Sequence, residues 1–189
     1  SFNSVPDVES WDVSSAQSLI GFMYNSDFTG NYALDLSAWN FTNSVTNVSS
    51  MFREANNRVN GTGLTSLKFD SANCDFGGVT NMSYFIYYCY YLTNLELAGA
   101  TDFSAVTNLT QWGYKCYAMA TLDLGTVQDF GASAEQWSYW GSYWTGGIAS
   151  INFLTTTNIP ATTGLGTMFS ASQVATADYD KLLQALVNV

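Results

Sequence analysis

A short block recurs down this chain about every 28 residues, and nothing else in the sequence constrains its fold as strongly. It reads V-T-N-V-S-S-M-F at 45–52, V-T-N-M-S-Y-F-I at 79–86 and V-T-N-L-T-Q-W-G at 106–113. Altered copies stand at 16–23, 134–141 and 162–169. A second motif keeps the same beat, as Leu34-Asp35-Leu36, Leu67-Lys68-Phe69, Leu95-Glu96-Leu97, Leu122-Asp123-Leu124 and Ile151-Asn152-Phe153, with Pro6-Asp7-Val8 as a first copy. Self-similarity at this period marks a solenoid. Each unit has too little apolar surface to fold alone and is completed by its neighbours.

In the second motif the outer two residues share one face and the middle residue points to the other, as in a strand. The spacing predicts strands near 6–8, 34–37, 67–70, 95–98, 122–125 and 151–154, all running the same way. The block reads differently. Thr46-Asn47, Thr80-Asn81 and Thr107-Asn108 are helix-capping types. The apolar residues after them, such as Val48, Met51 and Phe52, fall at the spacing of about one helical turn. Each coil is therefore expected to be a strand, a turn, a short helical or 3-10 segment and a return, an α/β architecture. Phe22, Met51, Phe85, Trp112, Trp140 and Met168 align as one inner column, and Trp137 also aligns inward. N-N-R-V-N-G-T-G at 56–63 marks an inserted loop. The chain closes on T-A-D-Y-D-K-L-L-Q-A-L-V at 176–187, whose apolar residues have helical spacing and whose Thr176 or Asp178 can cap a helix. That amphipathic helix is expected to cover the last coil. The domain reading is one solenoid over 1–189, with coils over 1–172 and the cap helix over 173–189.

Composition excludes several functions. Only 11% of residues are charged, so Ser, Thr, Asn and Gly must supply the polar surface, an economy common in extracellular and virion proteins. Net charge is −10, with Arg53, Arg58, Lys68, Lys115 and Lys181 the only basic residues. No basic stripe is available to neutralise phosphates, which argues against nucleic-acid and anionic-membrane partners. The absence of histidine removes the usual general base and the commonest metal ligand. No cofactor signature is present, and no apolar run approaches the length of a membrane span. The chain opens without Met on S-F-N, which reads as the tail of a preceding coil and predicts a processed protein or part of a longer one.

Cys74, Cys89 and Cys116 make no metal pattern. Cys89 and Cys116 occupy the eleventh place of successive blocks, where Ser26, Ala55, Trp144 and Ser172 stand elsewhere. A small buried core position is one reading, and a disulfide between stacked coils is the other. Glycosylation sequons begin at Asn40, Asn47, Asn60, Asn81 and Asn108. Asn47, Asn81 and Asn108 share one block position, where a structural role accounts for them. Asn60, in the inserted loop, is the favoured acceptor in a eukaryotic secretory setting, with Asn40 a further candidate.

The V-T-N-M-S block, the W-D-V-S at 11–14 and L-D-L-S-A-W-N-F at 34–41 closely resemble the BspA-like leucine-rich-repeat surface proteins, as does the terminal A-T-A-D-Y-D-K-L-L. The resemblance extends over essentially the whole chain and is weakest at 127–160. It implies a right-handed, leucine-rich-repeat-like solenoid of about six coils. It also implies a secreted, cell-surface or virion-surface location and a binding or structural role. It carries over no catalytic residue and no ligand.

Two rows are candidate recognition surfaces. One is the column of strand middle residues, Asp7, Asp35, Lys68, Glu96, Asp123 and Asn152. A solvated polar face is its plainest reading. A cation site and a pair of glycoside-cleaving acids are the alternatives. The other row is Tyr84, Tyr88, Tyr139 and Tyr143, which share outward block positions and offer apolar area with a polar tip. The leading functional expectation is a non-enzymatic adhesion or recognition domain that binds protein or glycan through an extended face. A fibre subunit stacking end to end, and a polysaccharide-cleaving enzyme, are the other classes.

Overall fold

The computed structural model describes residues 7–41, 44–69, 73–97, 103–124, 139, 141–146 and 170–173, together with the backbone of 150–152. Trp137, Trp140, Met168, Lys181 and the helix expected beyond Gln173 lie outside the described residues. The strands are β1 (Tyr32–Asp35), β2 (Asn56–Asn57), β3 (Thr62–Lys68), β4 (Asn94–Glu96), β5 (Thr121–Asp123) and β6 (Ser150–Asn152). Five of them form a parallel sheet in the order β1-β3-β4-β5-β6. Its register aligns Leu34, Leu67, Leu95, Leu122 and Ile151, and likewise Asp35, Lys68, Glu96, Asp123 and Asn152. Residues that match in sequence are thus partners in space. Pairing continues past the strands, where Leu36, Phe69 and Leu97 donate their N–H groups to Lys68, Glu96 and Asp123 carbonyls. Leu34, Leu67, Leu95, Leu122, Leu36, Leu97 and Leu124 are all buried. Each such side chain contributes about 1.5–3 kcal/mol of apolar burial.

The strand expected at 6–8 is not formed. Val8–Ser10 is a 3-10 turn, and Asp7 stands just before it. The β1 edge is met instead by Glu9, whose Oε1 accepts the Asp35 N–H at 3.0 Å. Asp7 is therefore not the first rung of the acidic column. The indole of Trp39 donates to Val8 O at 2.8 Å and ties this turn to the core.

Where they are described, the blocks are not helical, contrary to the expectation from their spacing. Val8–Ser10 is the only helix among the described residues. The backbone explains why. The sixth residue of the first five blocks (Gly21, Ser50, Tyr84, Gln111, Tyr139) and the tenth of all six (Asn25, Glu54, Tyr88, Lys115, Tyr143, Ala171) have φ between 50° and 63°. A left-handed residue at every fourth place cannot continue a right-handed helix. The chain makes overlapping turns, with Met51 N–H to Val48 O and Ala55 N–H to Phe52 O, each turn carrying the positive φ at its third residue. The remaining donors run sideways. Val48, Ser50, Phe52 and Glu54 donate to Asn81, Ser83, Phe85 and Tyr87 carbonyls at 2.8–3.0 Å. A parallel line of bridges, Ser18–Asn47–Asn81–Asn108, joins successive blocks. Asn47, Asn81 and Asn108 are not helix caps: each Oδ1 accepts the N–H two residues on, at 3.0 Å, closing an Asx turn.

The loop expected at 56–63 is a hairpin in which Asn56–Asn57 pair antiparallel with Thr62–Gly63. Gly63 is required there, because a Cβ would lie 2.6 Å from Asn56 Cβ and 2.9 Å from its Cα. Between the sheet and the blocks lies one core. Phe41, Phe52, Phe69, Phe76, Phe85 and Trp112 pack in it as a chain of tilted, edge-on and stacked rings. Met51, Phe85 and Trp112 are buried as aligned, and Phe22 is partly buried against them.

The eleventh block position is a core position with a polar task. Cys89 Sγ donates to Phe52 O at 2.9 Å, and Cys116 Sγ to Ile86 O at 3.0 Å. Trp144 Nε1 donates to Gly113 O and Ser172 Oγ to Gly141 O, both at 2.6 Å. In every case the acceptor is the eighth residue of the preceding block. All three cysteines are free and buried. Burial pushes the Cys89 thiol up to about 12 and the Cys116 thiol well above its usual range.

Candidate functional site

Each outward row of the blocks carries its own chemistry. At the sixth and tenth positions the left-handed backbone holds Tyr84, Tyr88, Tyr139 and Tyr143 at the surface: Tyr139 and Tyr143 are exposed, Tyr84 and Tyr88 half-buried. Such strain in isolation would suggest a functional site. Here it recurs at Ser50, Glu54 and Gln111, so it belongs to the block geometry.

The ninth position adds a row that the alignment of the outward tyrosines alone passes over: Tyr24, Arg53, Tyr87 and Tyr114. The Arg53 guanidinium lies between successive blocks, 5.2 Å from the Tyr24 ring centroid and 4.9 Å from that of Tyr87, and 5.5 Å from Tyr84. It also pairs with Glu54 at 3.1 Å. The Tyr87 ring stacks on Tyr114 at 5.5 Å. Lys115 sits among Tyr88, Tyr114 and Tyr143, with its Nζ 5.2–5.4 Å from each ring centroid. The twelfth position adds Tyr90 and Tyr117, parallel at 5.2 Å. Arg58, on the hairpin tip, lies 4.9 Å over Tyr90. Three of the five basic residues thus lie on tyrosine rings, each such contact worth about 0.5–1 kcal/mol when exposed. Recurrence of aromatic or basic residues at one block offset is the signal in the sequence that identifies this face.

The phenols differ electrically. A hydrogen bond donated by Tyr87 lowers the Tyr88 phenol; burial opposes this, and Lys115, donating to Tyr88 at 3.5 Å, lowers it further. Tyr87 is raised, first by burial and then by its bond to Tyr88. On Lys115, burial acts downward, but the Tyr88 bond and the neighbouring phenols raise it on balance.

The strand column is plainer. Asp35 is exposed, and its carboxyl is lowered chiefly by the Ser37 hydroxyl, with burial opposing. Lys68 Nζ stands 3.9 Å from Glu96 Oε1, both about one-third exposed. Glu96 and Asp123 are half-buried register partners. No group of three or more Cys, Asp or Glu among the described residues could hold a metal ion. Asn60 is exposed at the hairpin tip, its N–H bonded to Asn57 Oδ1, whereas Asn40 is half-buried. Among the described residues no helix is long and apolar enough to cross a membrane.

No curated protein and no solved structure is significantly similar to this chain. A family model does match, over residues 1–122 of the 189. That span holds the first four blocks, the hairpin and the tyrosines from Tyr24 to Tyr117. The chain belongs to the family described as Mycoplasma protein of unknown function, DUF285.

Proposed function

We propose that this chain is a non-enzymatic recognition domain displayed at a cell or virion surface, binding protein or glycan through an extended face. The observation that carries the reading is the tyrosine and cation face, which runs across successive blocks from Tyr24 to Tyr143. Parallel rows of equivalent side chains suit an extended ligand better than a small molecule in a cavity. Aromatic rings held by backbone ladders lose little entropy when they are covered. The architecture we infer is a right-handed, leucine-rich-repeat-like solenoid forming one domain over 1–189 and closed by a helix over 173–189. The parallel register and the block-to-block bridges support this, as does the resemblance to BspA-like surface proteins.

The test is binding to a glycan array and to cells, with Tyr84, Tyr88, Tyr139 and Tyr143 replaced together by Ala. Ala171 already occupies a left-handed tenth position, so alanine is compatible with the backbone there. Binding should be lost while the unfolding midpoint falls only slightly. Binding that survives this change but fails in Glu96→Gln/Asp123→Asn moves the site to the sheet. Polymerisation without any ligand replaces recognition with the fibre reading, and polysaccharide turnover abolished by Asp123→Asn replaces it with an enzyme.

A further inference from the structure

Among the described residues the tyrosine face includes a depression of about 370 Å³, lined by Arg58, Tyr90, Tyr91 and Tyr117. We infer that it is a subsite for a single carboxylate-bearing sugar unit of a glycan, with Arg58 as the carboxylate receptor. The assignment rests on the recognition reading above and specifies its ligand.

Arg58 is exposed on the hairpin, and no carboxylate approaches it within ion-pair distance among the described residues. The other two cations of the face are more engaged. Arg53 pairs with Glu54, and Lys115 lies among three phenol rings. In a chain of net charge −10, an uncompensated guanidinium beside a concave aromatic surface is a local inversion of sign. Its planar fork of donors matches a carboxylate bidentately.

The remaining walls match a sugar ring. Tyr117 stacks on Tyr90 with an interplanar angle of 6° and, being exposed, offers apolar area to C–H groups. The hydroxyls of Tyr90, Tyr91 and Tyr117 make no protein hydrogen bond among the described residues and can donate to or accept from ring hydroxyls. The volume lies at the small end of ligand cavities, about 300–1,000 Å³, which suits one ring rather than a peptide segment. An acidic peptide would also need further free cations along its length, and Arg58 is the sole cation lining this depression.

The experiment is calorimetric titration of the intact chain with matched oligosaccharides: hexuronate-containing, sulfated and neutral. Arg58→Gln and Arg58→Lys are titrated in parallel, and circular dichroism checks their fold. The uronate oligosaccharide should bind best and weaken with salt. Arg58→Gln should reduce its affinity about 10- to 100-fold without changing neutral-glycan binding, and Arg58→Lys should not restore it. Preference for sulfated or neutral sugars, or an Arg58→Gln variant that binds the uronate normally, overturns the subsite. Arg58-dependent binding of a poly-glutamate peptide without uronate binding overturns the sugar in favour of an acidic peptide. Binding of other glycans or cells that depends on the four tyrosines but not on Arg58 leaves the recognition reading standing and removes only this subsite.

Discussion

Two of the three buried thiols, Cys89 and Cys116, predict a specific alkaline weakness. Cys89 titrates near 9.0 when exposed and at about 12 in the folded chain, because burial disfavours the thiolate. A group whose pKa is raised by folding contributes stability that is fully present below its unfolded pKa and is lost as pH rises through the folded one. The window therefore opens at about pH 9 and closes at about pH 12. Cys89 alone should cost on the order of 1 kcal/mol at pH 10, and about 4 kcal/mol once pH exceeds 12. Cys116, raised for the same reason, adds in the same direction. The perturbation is Cys89→Ser together with Cys116→Ser. Serine cannot titrate here, and Ser172 already donates from this block position. The assay is urea unfolding at pH 7.5 and pH 10. With a urea slope of about 2 kcal/mol per M, the wild-type midpoint should fall roughly half a molar or more beyond that of the double variant. Tyrosine ionisation acts on both proteins and cancels in the comparison. Equal losses in the two proteins would refute the reasoning, as would rapid thiol labelling of the folded wild type at neutral pH.

Trp144→Ala should cost about 3–5 kcal/mol, because the indole is fully buried, whereas Trp144→Phe should cost about 1–2 kcal/mol through loss of the bond to Gly113 O; chemical denaturation separates the two. Gly21→Val should destabilise by about 1–3 kcal/mol, since it forces a β-branched residue to φ 62°. Ser50→Gly, at the equivalent place, should be neutral or stabilising by up to about 1 kcal/mol, read as a urea midpoint. Secreted from eukaryotic cells, the chain should carry glycan on Asn60 in preference to Asn81 and Asn108, whose Oδ1 atoms close Asx turns. Peptide mapping by mass spectrometry decides, and modified Asn81 beside unmodified Asn60 would contradict it.

The sheet was legible because it depends on a period-two pattern that local sequence carries. Leu34, Leu67, Leu95 and Leu122 are register partners and buried, as their motif requires. The blocks misled because Val48, Met51 and Phe52 have helical spacing, while the helix is forbidden by left-handed residues at Ser50 and Glu54. Neither residue type announces that conformation; it is enforced by bonds to the next block, a non-local cause. Pro6-Asp7-Val8 looked like another strand motif, but Glu9, not Asp7, reaches the Asp35 amide. For the candidate site, the outward tyrosines were readable from block alignment. Arg58 over Tyr90 was not, because the hairpin that carries it interrupts the repeat.

The bond from each eleventh residue to the block before it sets how such a gene can grow and shrink. Cys89, Cys116, Trp144 and Ser172 each supply a donor backward, and the first three sit in units whose own eighth carbonyl is served from ahead. Duplication or loss of a whole unit carries one donor and one acceptor together, so every carbonyl keeps its partner wherever the cut falls within the period. A partial insertion breaks that accounting unless, like the hairpin at 56–63, it closes its own hydrogen bonds. At the start of the series the exception is informative: Ala55 offers no donor, and Met23 O is served by Ser26 of its own block. For this one bond that block closes its own accounting, and recombination among the others can change the length of the array, and with it the reach of its tyrosine rows, without redesigning the core.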